Sequence, residues 1–268
     1  MNRIDKVFAE LKERGEAALI PYLTAGFPNL EATLPLLRAL VRGGADVIEL
    51  GVPFSDPVAD GPTIQRSSSE ALAAGTTFPK ILEIVKQFRA ESETPIVLFG
   101  AYNPFFHYGM EKAARDAATV GVDAFLIPDL PADEGTEAEP AIREAGLYLI
   151  YLIAPTTPPD RVKFICSRGS GFLYYISVKG VTGARTSVSL ELEKPLAQVH
   201  AATKLPVAVG FGIGTPEQAA QVGRLAEGVV VGSALVDLVG KNRDAADRDQ
   251  KVEEYIRSMK APLKPLTV

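Results

Sequence analysis

The sequence predicts an α/β protein, a single (β/α)8 TIM barrel over residues 1–268 with an extra helix at its N-terminus. Three observations carry this expectation: eight short apolar runs, helical patterns between them, and long Pro- and Gly-rich links after runs two and six, where the links leading into runs are short. Alternating strand and helix implies parallel strands joined by right-handed crossovers, and eight repeats close a barrel. An open doubly wound sheet is the structural alternative, but no glycine-rich dinucleotide fingerprint follows the first run.

The elements follow in order. "MNRIDKVFAELKERGE" sets Ile4, Val7, Phe8 and Leu11 on one helical face and is too charged for a signal core. The eight runs are 18–24, 47–51, 95–100, 123–128, 147–153, 172–178, 206–212 and 228–233. They are rich in Val, Ile, Leu and aromatics, as strands buried on both faces must be. Helix patterns cover 30–42, 79–90, 111–119, 134–145, 159–167, 190–202 and 216–225. Gly43, Gly121 and Gly146 stand at helix ends, where a left-handed residue is wanted. Such a barrel carries its active site at the carboxyl ends of the strands.

Composition narrows the function. The chain is 47% hydrophobic and 23% charged, the balance of a soluble protein with a large core. Its net charge of −5 is spread along the chain, so neither nucleic acid nor an acidic membrane is an expected partner, and a small metabolite is. One cysteine, Cys166, forms no internal disulfide, and His107 and His200 are too few and too scattered for a zinc site; no metal is expected. No stretch is long enough to span a bilayer.

The second run breaks the apolar rule. In "VIELGVPFSDPVADGP", alternation puts Val47, Glu49 and Gly51 on one face and Ile48 and Leu50 on the other. Glu49 therefore points into the barrel near its catalytic end, where desolvation raises a carboxyl pKa toward the range useful for moving protons. A structural carboxylate paired with a buried Lys or Arg is the alternative. The loop beyond, stiffened by Pro53, Pro57, Gly61 and Pro62, carries Ser55, Asp56 and Asp60. Pro62 suits the first turn of a helix, so Asp60 reads either as a helix-end acid or as a second carboxylate sharing the work; Asp56 reads equally as a turn residue.

Runs seven and eight end in "GFGIGTPEQA" and "GSALVDL". Gly210, Gly212 and Gly214 precede a capped helix start at Thr215, Pro216 and Gln218, and Gly232 and Ser233 open a second helix. Glycines at helix N-termini favour an anion, and these two loops are the usual phosphate site of the fold, although tight packing also explains a glycine-rich turn. The link after run six, 177–191, is long and polar, as lids are. Gly183 on it offers a backbone donor to the phosphate, and Thr182 approaches the acids if the lid closes.

"IELGVPFSDPVADGPTIQ" closely resembles the signature of the tryptophan synthase alpha chain family, and the resemblance continues through "PYLTAGFP", "YNP", "PDLP", "GVTGAR", "GFGI" and "VVVGSALV" over nearly the whole chain. It implies a lyase that cleaves indole-3-glycerol phosphate to indole and glyceraldehyde 3-phosphate. Indole would pass to a beta chain that holds pyridoxal phosphate, in an alpha-beta-beta-alpha heterotetramer; no cofactor is expected in this chain. Glu49 matches the catalytic acid and base, and Asp60 the acid that accepts the indole N–H. Gly183, Gly212, Gly232 and Ser233 match the phosphate site, and Tyr22, Tyr102, Tyr174 and Phe211 the indole and glycerol pocket, each aromatic having barrel core as its alternative. Pro53, Asp56 and the "YNP" turn with Asn103 and Pro104 match surfaces that meet the beta chain. The chain departs from the family pattern at "SVKGVTGART" and at Gly214. The expected location is the cytoplasm, or the plastid stroma for a plant chain without its transit peptide. A stand-alone indole-3-glycerol phosphate lyase, a non-catalytic allosteric barrel and another sugar-phosphate enzyme on the same fold are the competing functions.

Overall fold

A computed structural model of the chain describes residues 1–176, 188–210 and 212–264, and for 188–191 the backbone only. The expected lid at 177–191, with Thr182 and Gly183, and Phe211 therefore lie wholly or largely outside the described residues.

Nine parallel strands form one sheet: β1 (Ala18–Thr24), β2 (Ile48–Gly51), β3 (Ile96–Phe99), β4 (Ala124–Leu126), β5 (Tyr148–Ile150), β6 (Leu152–Ile153), β7 (Leu173–Ile176), β8 (Val207–Gly210) and β9 (Gly228–Val231), ordered β5-β4-β3-β2-β1-β9-β8-β7-β6. The two edge strands, β5 and β6, are successive pieces of the fifth apolar run. The first pairs with β4 and the second with β7, and the carbonyl of Tyr151 between them accepts from Tyr174 N–H at 3.0 Å. The sheet thus closes on itself, and the expected eight-run barrel is what forms, with its fifth strand divided.

Side-chain alternation sorts the core into two layers. Ala18, Ile20, Val47, Val97, Ala124, Leu126, Ile150, Tyr174, Ala208 and Val230 fill the barrel interior, while Ile48, Leu50, Ile96, Leu98, Val207 and Val209 face the helices. The N-terminal helix α1 (Arg3–Arg14) is capped by Asn2, whose Oδ1 accepts from Ile4 N–H at 3.0 Å. It plugs the bottom with Ile4, Phe8 and Leu11, each contributing roughly 2 kcal/mol of burial, and Phe8 meets Phe172 at 5.7 Å between ring centroids. The barrel interior is thereby closed from below and opens at the upper, C-terminal mouth.

The outer helices are α2 (Leu30–Gly43), α3 (Pro62–Ala73), α4 (Phe78–Arg89), α5 (Tyr102–Tyr108), α6 (Met110–Val120), α7 (Ala138–Glu144), α8 (Pro159–Arg168), α9 (Val188–Ala202), α10 (Pro216–Gly223), α11 (Ser233–Lys241) and α12 (Arg248–Lys260). Three expectations need correction. The "YNP" segment is the first turn of α5, not a turn between elements. The left-handed cap of α2 is Gly44 (φ 98°); Gly43 is helical, and a Cβ there would stand 2.6 Å from Ile256. That contact belongs to α12, which was not expected although Val252, Ile256 and Met259 mark its buried face at helical spacing. Among the described residues no helix is long and apolar enough to cross a membrane, and no group of three or more His, Cys, Asp or Glu is placed to hold a metal.

Candidate active site

The barrel mouth holds a cavity of about 450 Å³ lined by Tyr22, Glu49, Asp60, Ile64, Phe99, Pro128, Leu152, Tyr174, Ile176, Gly212, Val230, Gly232 and Ser233, with Ala59, Gly61 and Pro62 at its edge. Glu49, Asp60, Tyr22, Tyr174, Gly212, Gly232 and Ser233, which come from five strands and their loops, are brought together here.

Glu49 sits on β2 opposite Tyr22 of β1 and Val97 of β3. It is fully buried, and neither carboxylate oxygen has a hydrogen-bond partner among the described residues. Burial alone pushes its pKa up to about 8. The paired structural carboxylate considered from sequence is thus not the geometry found. An unpaired buried carboxylate costs several kcal/mol, so the group is held as a neutral acid poised to release its proton.

Asp60 is placed by turns in the loop after β2, where its N–H donates to Pro57 O at 3.0 Å. The N-cap of α3 is Gly61 and has no side-chain cap bond, so Asp60 does not cap the helix. Burial, and secondarily the nearby Asp129, push its pKa up to about 6. At neutral pH the site therefore holds one acid mainly protonated and one mainly ionised, the division that general acid–base chemistry needs.

Two tyrosines flank these acids. The hydroxyl of Tyr22 occupies the place of the missing side chain of Gly51, and that of Tyr174 the place of Gly210, so a methyl group at either glycine would collide with the ring. Both phenols are held well above their ordinary pKa by burial first, then by Asp60 for Tyr22 and by Glu49 for Tyr174, so both remain neutral donors. Phe99 stands edge-on between them, 5.4 Å from Tyr22 and 6.4 Å from Tyr174. Phe99 was not singled out from sequence, yet its inward position beside Val97 on β3 was readable from the alternation. The same holds for Leu152, Ile176 and Val230.

At the opposite end of the cavity, Gly212 (φ 78°) leads to α10, whose start is a capping box of Thr215 and Gln218, and Gly232 opens α11. Among the described residues no Lys or Arg lines the cavity, and those at this end offer an anion helix N-termini and backbone N–H groups.

Other expected site residues lie elsewhere. Tyr102 is on α5, outside the cavity lining, with its ring stacked on Phe106 at 5.7 Å. Pro53 and Pro104 line an outer cleft, Asn103 is exposed, and exposed Asp56 borders a gap of about 30 Å³ beside Asp60 and Asp129. The same segments expose Val58 and Phe106.

Fold and site together define a barrel lyase: a closed ring of parallel strands whose mouth holds a buried protonated acid, a second acid and two glycine-rich helix starts. A family model described as tryptophan synthase alpha chain matches residues 8–264, and the chain belongs to this family. It is 54% identical to the tryptophan synthase alpha chain of Citrifermentans bemidjiense over 91% of this chain and 92% of that one, and 48% identical to that of Geobacter sulfurreducens over 97% and 98%. Among solved structures, tryptophan synthase subunit alpha from Legionella pneumophila superposes with a TM-score of 0.91 at 42% identity, covering 98% of both chains. A chain of the tryptophan synthase α2β2 complex of Pyrococcus furiosus, described in terms of mutual activation, superposes at 0.84 and 39% identity over 91% of this chain and 98% of that one.

Proposed function

We propose that this chain cleaves indole-3-glycerol phosphate to indole and glyceraldehyde 3-phosphate as the alpha subunit of a tryptophan synthase. The observation that carries this reading is the buried carboxyl of Glu49 in the cavity lining, without a hydrogen-bond partner among the described residues.

The chemistry is a retro-aldol cleavage. Protonation of indole C3 by Glu49 makes the ring an electron sink, with positive charge on the ring nitrogen. The resulting carboxylate then takes the proton of the hydroxyl on the adjacent side-chain carbon. The O–H electron pair forms the aldehyde carbonyl, the bond to C3 breaks, and its electrons return to the ring. One proton is given and one is taken, so Glu49 ends as it began. Asp60, ionised, accepts the indole N–H and stabilises the charge developing there. Gly212, Gly232 and Ser233, with Gly183 of the lid, are assigned to the phosphate, and Tyr22, Tyr174, Phe211 and Thr182 to the remainder of the substrate. Tyr102, outside the cavity lining, belongs with the rim in this reading.

No step draws on a cofactor of this chain; pyridoxal phosphate belongs to the beta chain that receives the indole. Pro53, Asp56, Asn103 and Pro104 are assigned to that contact, supported by the exposed Val58 and Phe106 on the same loop and helix. The cytoplasm is the assigned location. Indole release from indole-3-glycerol phosphate, with and without a tryptophan synthase beta chain, tests the reading. Slow release that rises on adding the beta chain supports it; fast release indifferent to the beta chain indicates a stand-alone lyase, and no release refutes the catalytic assignment.

A further inference from the structure

A chain of buried hydroxyls runs from the cavity into α3 and takes no part in the steps above. Thr24 Oγ1, fully buried on β1, is 3.5 Å from Tyr22 Oη as donor and 2.7 Å from Ser67 Oγ. Each hydroxyl owns one hydrogen. When Thr24 donates to Tyr22, Ser67 must donate to Thr24, and the Tyr22 hydrogen is then free for an acceptor other than Thr24. The competing acceptor for Ser67 is the carbonyl of Ile64, at 2.9 Å, so rotation of one hydroxyl exchanges the two orders. Successive donors polarise one another, which strengthens the terminal one.

The position of that terminal donor matters. Tyr22 faces Glu49 across β1 and β2, and its hydroxyl lies over Gly51, two residues nearer the mouth than Glu49 on the same face of β2. Its Cβ lies close to Gly232 at the anion end, and the charge of Asp60 is felt at its phenol. A substrate stretched from Asp60 to Gly232 therefore presents the middle of its length, the hydroxylated carbons, to Tyr22.

Resting on the proposed cleavage reaction, we propose that Thr24 and Ser67 are positioning residues for the Tyr22 hydroxyl, which donates to an oxygen of the substrate's glycerol chain and so selects a hydroxylated substrate. A site built to donate to a hydroxyl discriminates against the analogue that lacks it.

The test uses the full chain with its beta chain and two ligands: indole-3-glycerol phosphate, read as kcat/KM, and 3-(indol-3-yl)propyl phosphate, which lacks both hydroxyls, read as a competitive Kd. Tyr22→Phe is expected to lower kcat/KM by about tenfold while moving the analogue's Kd by less than about twofold. The isosteric Thr24→Val should lower kcat/KM by about fivefold and Ser67→Ala by about threefold, again sparing the analogue, and Thr24→Ser should restore most of the loss. kcat/KM is referred to the active fraction of each variant, titrated with the tightly competing analogue, so a loss of folded protein does not imitate the effect. Equal losses for both ligands, or none for either, would overturn the inference. Failure of the unaltered complex to cleave the substrate would overturn the reaction itself and the inference with it.

Discussion

The two ends of this barrel bury carboxyl groups in opposite ways. At the bottom, Asp123 accepts from Arg3, Arg89 and the N–H of Ile96 at 3.2, 3.2 and 2.8 Å, and Asp46 accepts from Lys260 Nζ at 2.8 Å and Leu19 N–H at 2.7 Å. Burial raises both pKa values, while cations and backbone donors pull them back. At the top, Glu49 is buried at least as deeply and has no such partner among the described residues. The bottom acids tie α1, α4 and α12 to the strands. The top acid contributes nothing of this kind and is left free to exchange a proton. An unpaired buried acid is destabilising, and on the proposed mechanism the mouth is where stability is given up for chemistry.

The comparison breaks if substitution at the two ends has the same consequence. The largest expected effect is at Glu49: Glu49→Gln keeps the shape and removes the proton, so kcat should fall by about 10³-fold or more in the indole-release assay while the propyl phosphate analogue still binds. Retained turnover would remove Glu49 from the mechanism. Asp60→Asn should cost about 10²-fold in kcat with the melting temperature unchanged, because it loses only charge stabilisation. At the bottom, Asp123→Ala leaves the largely buried Arg89 without its carboxylate, with only backbone carbonyls as acceptors, and should cost about 3 kcal/mol in urea unfolding, with kcat/KM of the folded fraction preserved. A loss of kcat there with stability intact would contradict the division.

Two smaller effects sharpen it. The pKa of Glu49 stands at about 8 in the folded chain against an ordinary 4.5. Between those values the folded state keeps a proton that the unfolded state gives up, so its stability falls as pH rises through this window and levels off above it. Glu49→Gln has no such proton and should be the more stable protein at pH 8, with the difference vanishing toward pH 4; equal stability at both pH values would mean that Glu49 is solvated. Finally, catalysis starts from ionised Asp60 and protonated Glu49, so kcat/KM should rise through about 6 and fall above about 8, roughly tenfold per pH unit on each limb. A shift of the upper limb in a slow but measurable Glu49→Asp variant, with the lower limb unmoved, would mark the upper limb as belonging to residue 49.

Much of this was readable in the chain itself. The eight runs, the plug formed by Ile4, Phe8 and Leu11, and the inward direction of Glu49 all follow from periods of two and 3.6 residues and from burial on both faces of a parallel sheet. The paired acids and the glycine-rich turns after β8 and β9 were readable because desolvation and helix N-termini act on the residue types themselves. What alternation alone does not fix is reach across the molecule. That Gly51 and Gly210 make room for Tyr22 and Tyr174, that Glu49 has no partner among the described residues while Asp123 has several, and that Thr24 meets Ser67 on α3 depend on which side chains closure of the barrel sets face to face. Tyr102 shows the same limit, since a residue just beyond a strand's end enters the cavity or not according to whether the backbone turns into α5 first. Local pattern determined the elements and the identity of the acids, because both arise from neighbours in sequence. Only the tertiary structure decided their solvation and their partners, because those come from residues distant in the chain.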